Sequence, residues 1–212
     1  MSAKIKRMRI PGYLAIAVLV LLATTACKKE EPRSGSSAGQ TMNQSSNESV
    51  FEEVLRKVKE NPNDAEALYH LADLYDRSGQ YPQAVDTYKK VIALKPDMGY
   101  AYFKMGTGYS RLNQPAEAVK ALKKATDLMP DNAVAFNNLG VAYGKLDKLN
   151  EEIASLKKAI RIRPAYSSAR YNLGVSYLKA GNRKAATGEY EALKKFDEST
   201  ADALIKEIER VH

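Results

Sequence analysis

The chain has 212 residues, 44% of them hydrophobic and 27% charged, which is enough for one domain of ordinary size. Its net charge of +8 falls to +4 once Lys4, Lys6, Arg7 and Arg9 of the basic start are set aside, well short of the surplus of a nucleic-acid binder. The one cysteine, Cys27, excludes a disulfide framework within the chain, and with only His70 and His212 beside it a Cys/His zinc site is excluded as well.

In chain order, a basic segment over residues 1–10 precedes an unbroken apolar run from Tyr13 to Leu22, then the small residues Ala23, Thr24, Thr25 and Ala26. This order describes a secretory signal over residues 1–26, too short in its apolar part for the roughly 20 residues that span a bilayer. The junction Ala26–Cys27 resembles the lipobox of bacterial lipoproteins. That resemblance implies cleavage before Cys27, a diacylglyceryl group on its sulfur and acylation of the new N-terminus. Thr24 departs from the pattern, standing where the family favours Leu. An incidental Cys in an ordinary secreted protein would leave a free thiol in an oxidising compartment, a liability. Several acyl chains on one residue would anchor the chain stably. Lys28 and Lys29 follow with no Asp, which by family analogy favours the outer membrane. The expected location is therefore a bacterial cell envelope, lipid-anchored, with the folded part in the periplasm.

Residues 27–47 carry the lipidated Cys and a polar stretch rich in Ser, Gly, Gln and Asn. This reads as a disordered linker reaching roughly 25 Å. Residues 48–63 hold one helix, Val50–Glu60, closed by Pro62 and covering the front of the repeated segment.

Over residues 64–198 the chain repeats itself. Pro96, Pro130 and Pro164 are spaced by 34 residues, and other columns fall into register with them. Leu68, Tyr102, Phe136 and Arg170 share a column, as do Leu71, Met105, Leu139 and Leu173. Ala72, Gly106, Gly140 and Gly174 form a small-residue column, and Tyr75, Tyr109, Tyr143 and Tyr177 an aromatic one. Ala84, Ala118, Glu152 and Ala186 come next, then Tyr88, Leu122, Leu156 and Tyr190. Positions 68, 71, 72 and 75 lie on one face of a helix. The small column lets two helices approach, and the Tyr beside it fills the gap with its hydroxyl free for a polar partner. Asp64, Asp97 and Asp131 are placed to cap the first helix of each pair. Pro82 and Pro115 open second helices, and the recurring prolines close them. Glu152 breaks its alanine column; an unpaired carboxylate there should snorkel outward and loosen the third hairpin, so that Glu152→Ala raises the melting temperature. Residues 199–212 form an amphipathic helix capped by Ser199, its Lys206, Glu207, Glu209 and Arg210 solvating the end of the stack.

These columns resemble the tetratricopeptide repeat. The resemblance covers residues 65–198, about four repeats, and implies an all-α right-handed superhelical solenoid of A/B helix pairs with flanking helices. It also implies that the A helices line a concave groove for protein or extended peptide partners. Candidate peptide-binding residues are Tyr69, His70 and Arg77 in the first repeat and Phe103, Lys104 and Arg111 in the second. They continue as Asn137, Asn138 and Lys145 in the third and Tyr171, Asn172 and Lys179 in the fourth. Two readings stand for Asn138 and Asn172, which share a column: a short ladder gripping a peptide backbone, or solvation of the helix face. Two also stand for Tyr69, Phe103 and Tyr171: apolar anchors, or partial burial between A helices. Charges in the groove sum to an acidic first repeat and a basic remainder, which would favour a segment of opposite polarity. The columns that form the family's carboxylate clamp hold Tyr69 and Asp73 instead.

The Lys pairs 89–90, 123–124 and 157–158 read as a solvated outer face, or as a basic strip facing anionic lipid or polysaccharide; with the basic half of the groove they give the alternative function, a binder of anionic cell-wall polymer. No phosphate-binding glycine loop, His–Glu metal motif or nucleophile elbow is present, and His70 near Asp73 and Asp76 lacks a nucleophile. The chain is therefore read as a scaffold for envelope complexes and not as an enzyme, with no cofactor, metal, small-molecule substrate or nucleic acid expected.

Overall fold

The computed structural model describes residues 38–211, with side chains from Ser49 onward. They form α1 (Ala38–Glu60), α2 (Ala65–Arg77), α3 (Tyr81–Leu94), α4 (Gly99–Arg111) and α5 (Pro115–Leu128). The chain continues as α6 (Ala133–Gly144), α7 (Leu149–Ile162), α8 (Ser167–Lys179), α9 (Arg183–Leu193) and α10 (Glu198–Arg210). Among the described residues there is no strand. All but the first two of them fall in one compact unit, Gln40–His212. The signal segment, Cys27 and linker residues 28–37 lie outside the described part.

Four hairpins pair α2 with α3, α4 with α5, α6 with α7 and α8 with α9, and each B helix also meets the next A helix. The A helices α2, α4, α6 and α8 touch one another in a row. This is the all-α solenoid that the repeat implies.

The punctuation of the sequence explains the helix ends. Lys95, Met129 and Arg163, each before a proline, are extended at φ −131°, −131° and −129°, so the B helices stop one residue earlier. Pro82 and Pro115 occupy opening positions of α3 and α5, where a missing N–H costs nothing. Every A helix closes in the same way. The N–H groups of Gln80, Gln114, Lys148 and Asn182 reach back to the carbonyls of the four columnar tyrosines at 2.8–3.1 Å. The residue before each donor is left-handed: Gly79 at φ +76°, Asn113 and Asp147 at +55°, Gly181 at +71°.

The small-residue column works as expected in the middle repeats. A Cβ on Gly106 or Gly140 would lie 2.6 or 2.8 Å from Leu122 or Leu156 of the paired B helix. In the fourth repeat the close neighbour of Gly174 is instead Leu204 of α10, at 2.6 Å. Helix α9 stops at Leu193, short of Phe196, the position its predecessors reach, and α10 folds back onto α8 and α9. Leu178, Ala186, Leu193, Leu204 and Ile208 close that end. At the other end Val58 of α1 packs against the core cluster that includes Leu68 and Tyr88, and Phe51 meets Tyr75 edge-on at 5.5 Å.

Several expectations are corrected. Residues 38–47 are helical, not linker, because no proline interrupts the chain between Pro32 and Pro62 and extending an existing helix needs no new nucleus. Asp97 and Asp131 do not cap; they sit one residue early. Asp64 and Asn132 accept from the first-turn amides, while Met98 holds that position in α4 and offers no side-chain cap. Asp197, not Ser199, caps α10, its carboxylate taking the Thr200 N–H at 3.0 Å and the Thr200 hydroxyl at 2.8 Å.

Glu152 does not snorkel. It is 6% exposed, and its Oε1 accepts the Ser176 hydroxyl at 2.7 Å and faces Lys179 Nζ at 3.6 Å. Gly144 makes the room: a Cβ there would lie 2.7–2.8 Å from the Glu152 carboxylate. The third hairpin is therefore filled, not loosened.

Candidate functional site

The face built by α2, α4, α6 and α8 carries the candidate residues, and their environments change from one step of the row to the next. Between α2 and α4, Asp73 binds Lys104 at 2.7 Å and Asp76 binds Arg111 at 2.5 Å, while Arg77 of α2 itself holds Asp73 from the next turn at 2.7 Å. Asp73 and Asp76 are largely buried, at 15% and 8% side-chain exposure, so these links are more than surface pairs. Arg111 also lies over the Tyr81 ring, 5.1 Å from its centroid. The acidic entrance and basic continuation expected from charge counting are therefore corrected: the acids of the first repeat and the bases of the second neutralise one another, because their columns meet across the A–A contact.

The aromatic column is half-buried. Tyr69 sits edge-on to Tyr88 at 5.7 Å, Phe103 packs against the core cluster that includes Leu122 and Leu139, and Tyr171 against the one that includes Leu178 and Leu204. Desolvation pushes the Tyr69 phenol above its ordinary range. The large exposed apolar side chains of the A helices are Tyr100 of α4, at 57%, and Val141 of α6, at 38%. Tyr100, Phe103, Val134 and Arg163 border a cleft of about 620 Å³ above the α5–α6 connection. Val141, Lys145, Tyr171, Asn172 and Lys179 border a second of about 470 Å³, together with the carboxylates of Glu152 and Glu207.

The asparagines form a chain of amides. Asn172 Nδ2 donates to Asn137 Oδ1 at 3.0 Å, and Asn137 Nδ2 donates to Asn138 Oδ1 at 3.2 Å. Asn137 is buried at 7% exposure, so it is corrected from a contact residue to the link that orients the other two. Asn138 and Asn172 are half-buried, and the side-chain Nδ2 of Asn138 and Oδ1 of Asn172 have no partner among the described residues. One donor and one acceptor are thus left unpaired a repeat apart, which suits the backbone of an extended peptide.

His70 is exposed, 3.9 Å from Glu66, and Asp73 and Asp76 are committed to cations. Among the described residues no group of His, Cys, Asp and Glu is disposed to hold a metal ion.

On the opposite face the Lys pairs are partly spoken for. Lys89 lies 5.9 Å from the Tyr109 ring centroid, Lys157 5.6 Å from that of Tyr177, and Lys158 5.8 Å from that of Phe136. The polar partner of the columnar Tyr is, in two repeats, the Lys of the preceding B helix. Arg170, which breaks an aromatic column, donates to Glu189 of α9 at 2.7 Å and to the Pro164 carbonyl at 2.7 Å. The sequence reading missed that link; its signal is that Arg170 and Glu189 depart from their columns within one repeat.

Family models for the tetratricopeptide repeat match residues 65–98 and 133–166, and a TPR repeat model matches 109–147. No curated protein matches the chain. Among solved structures it is similar to MamA, at 22% identity and a TM-score of 0.71 over 80% of this chain and 99% of that one. YrrB, described as a TPR protein with an unusual peptide-binding site, is 22% identical with a TM-score of 0.68 over 80% and 88%. PilW, described as a type IV pilus biogenesis factor, is 20% identical with a TM-score of 0.67 over 82% of each chain. At these identities the likenesses establish the fold.

Proposed function

The chain belongs to the tetratricopeptide repeat family, and from that premise we propose that it is a lipid-anchored adaptor of a bacterial cell envelope, holding extended segments of partner proteins along its A-helix face. The coarser part, a protein-interaction scaffold, follows from the repeat itself. The observation that carries the finer part is the amide pair: Asn138 and Asn172 offer one donor and one acceptor a repeat apart, beside exposed Val141. Such groups read a backbone without reading its side chains. The peptide-binding site of YrrB and the pilus-assembly role of PilW belong to those proteins, and they make an envelope adaptor a natural setting for this fold. Anchoring through Cys27 is supported by the basic, apolar and small-residue segments before it.

Two variants of the full chain test this. Asn138→Ala with Asn172→Ala should lose proteins that co-purify with the wild type, while Lys123→Glu on the opposite face keeps them. Cys27→Ala should abolish incorporation of an alkynyl fatty acid and release the chain from membranes. Retention of partners by the double variant would sink the groove reading; fatty-acid labelling that persists in Cys27→Ala would sink the anchor. The polymer reading finds less support, since Lys89, Lys157 and Lys158 already stack on rings of their own chain.

A further inference from the structure

The A-helix face carries a recurring acid–base link, and one step lacks its acid. From α2 to α4, Asp76 holds Arg111. From α6 to α8, Gly144 stands in the column of Asp76, the buried Glu152 carboxylate fills the space above it, and Lys179 is the base. The carboxylate comes from a different helix and meets the same basic column. From α4 to α6 there is none. Ser110 and Thr107 hold the columns of Asp76 and Asp73, and their hydroxyls bond back to Gly106 and Phe103 carbonyls of their own helix, at 3.1 and 3.0 Å. Lys145, the counterpart of Arg111 and Lys179, is exposed and makes no ion pair among the described residues.

We propose that this middle step is an anion subsite completed in trans by a carboxylate of the bound segment, Lys145 taking it as Arg111 takes Asp76. The inference rests on the reading of the A-helix face as a peptide groove. It specifies the ligand further. Asn138, Val141 and Lys145 fall at i, i+3 and i+7 of one helical face, so Asn138 and Lys145 are about 10 Å apart along α6. An extended chain covers that distance in about three residues. The segment would lay backbone on Asn138, an apolar side chain on Val141, and a carboxylate on Lys145 about three residues away. The carboxylate is that of an Asp or Glu side chain or that of the chain terminus. It is a carboxylate because the other links of the row are closed by one.

A pool of random short peptides with free C-termini would be selected on the full chain. Each retained peptide would then be measured as carboxylate, as side-chain amide and as C-terminal amide. Conversion to the amide should weaken binding to the wild type about fivefold, the scale of an exposed ion pair, and the loss should shrink at high salt. Which amide causes it identifies the source. Lys145→Met should remove the difference, and Ser110→Asp, which supplies the acid in cis, should remove it independently. Acid and amide forms that bind the wild type equally would overturn the subsite and leave the groove standing. A pool from which nothing is retained would overturn both.

Discussion

Tyr88 shows how a repeat column can be filled at a cost. Leu122 and Leu156 occupy the same column as plain hydrocarbon, whereas Tyr88 is 1% exposed with a hydroxyl that has no hydrogen-bond partner among the described residues. Burial pushes its phenol far above the ordinary range. We expect Tyr88→Phe to raise stability by about 1 kcal/mol, because an unsatisfied buried hydroxyl is costly; a lower melting temperature would show that the oxygen contributes packing that the ring alone does not. Glu152 is the opposite case. The alanine column made it stand out in the sequence, but where its carboxylate goes depends on Gly144, which faces it only once α6 and α7 are packed. Glu152→Ala should therefore destabilise by about 1 kcal/mol, emptying that space, contrary to the gain that the column alone suggests. Gly144→Ala should destabilise the wild type, where its methyl meets the carboxylate, and be neutral or stabilising beside Glu152→Ala. Denaturant titration of the four proteins tests this; additive effects would refute the pairing.

At the scale of elements, starts and stops were legible wherever backbone chemistry alone decides them. Prolines mark the B helices because a ring on nitrogen restricts its neighbour whatever the tertiary context. Caps were legible only to within a residue: before α6 both Asp131 and Asn132 are polar and only Asn132 caps, while before α4 Asp97 stands one position early and Met98 holds the capping place. The left-handed turn column, Gly79, Asn113, Asp147 and Gly181, was also readable, as residue types that tolerate positive φ at one fixed period. The turn into α10 was not, because it departs from the repeat. Asp197 ties that turn together, its carboxyl held below the usual range first by the Ser167 hydroxyl at the start of α8, then by the Thr200 amide and hydroxyl. A lowered carboxyl pKa stabilises the fold at pH above the unfolded value, near 4, and that contribution disappears as the pH falls through the folded value. The protection of the α10 amides against hydrogen exchange, taken relative to the intrinsic rate at each pH, should therefore fall on acidification below about pH 4, and Asp197→Asn should flatten that dependence. An unchanged pH profile in Asp197→Asn would remove Asp197 from the account.

For the whole molecule, period did most of the work. A 34-residue recurrence of small, large and aromatic columns leaves few arrangements other than stacked hairpins, so the fold was legible before any coordinate. The groove was legible as a set of columns but not as a charge pattern. Counting charges repeat by repeat assigns Asp73 and Lys104 to different regions, and stacking places them 2.7 Å apart. What remains open to a partner is narrower than the composition suggests: the amides of Asn138 and Asn172, the exposed Tyr100 and Val141, and Lys145. If partners lie along this face, photo-crosslinking in cells from a photoreactive residue at position 103, 138 or 172 gives discrete protein adducts, and the same residue at position 123 on the opposite face gives none. Adducts from 123 alone, or equally from all four positions, would place the partners elsewhere.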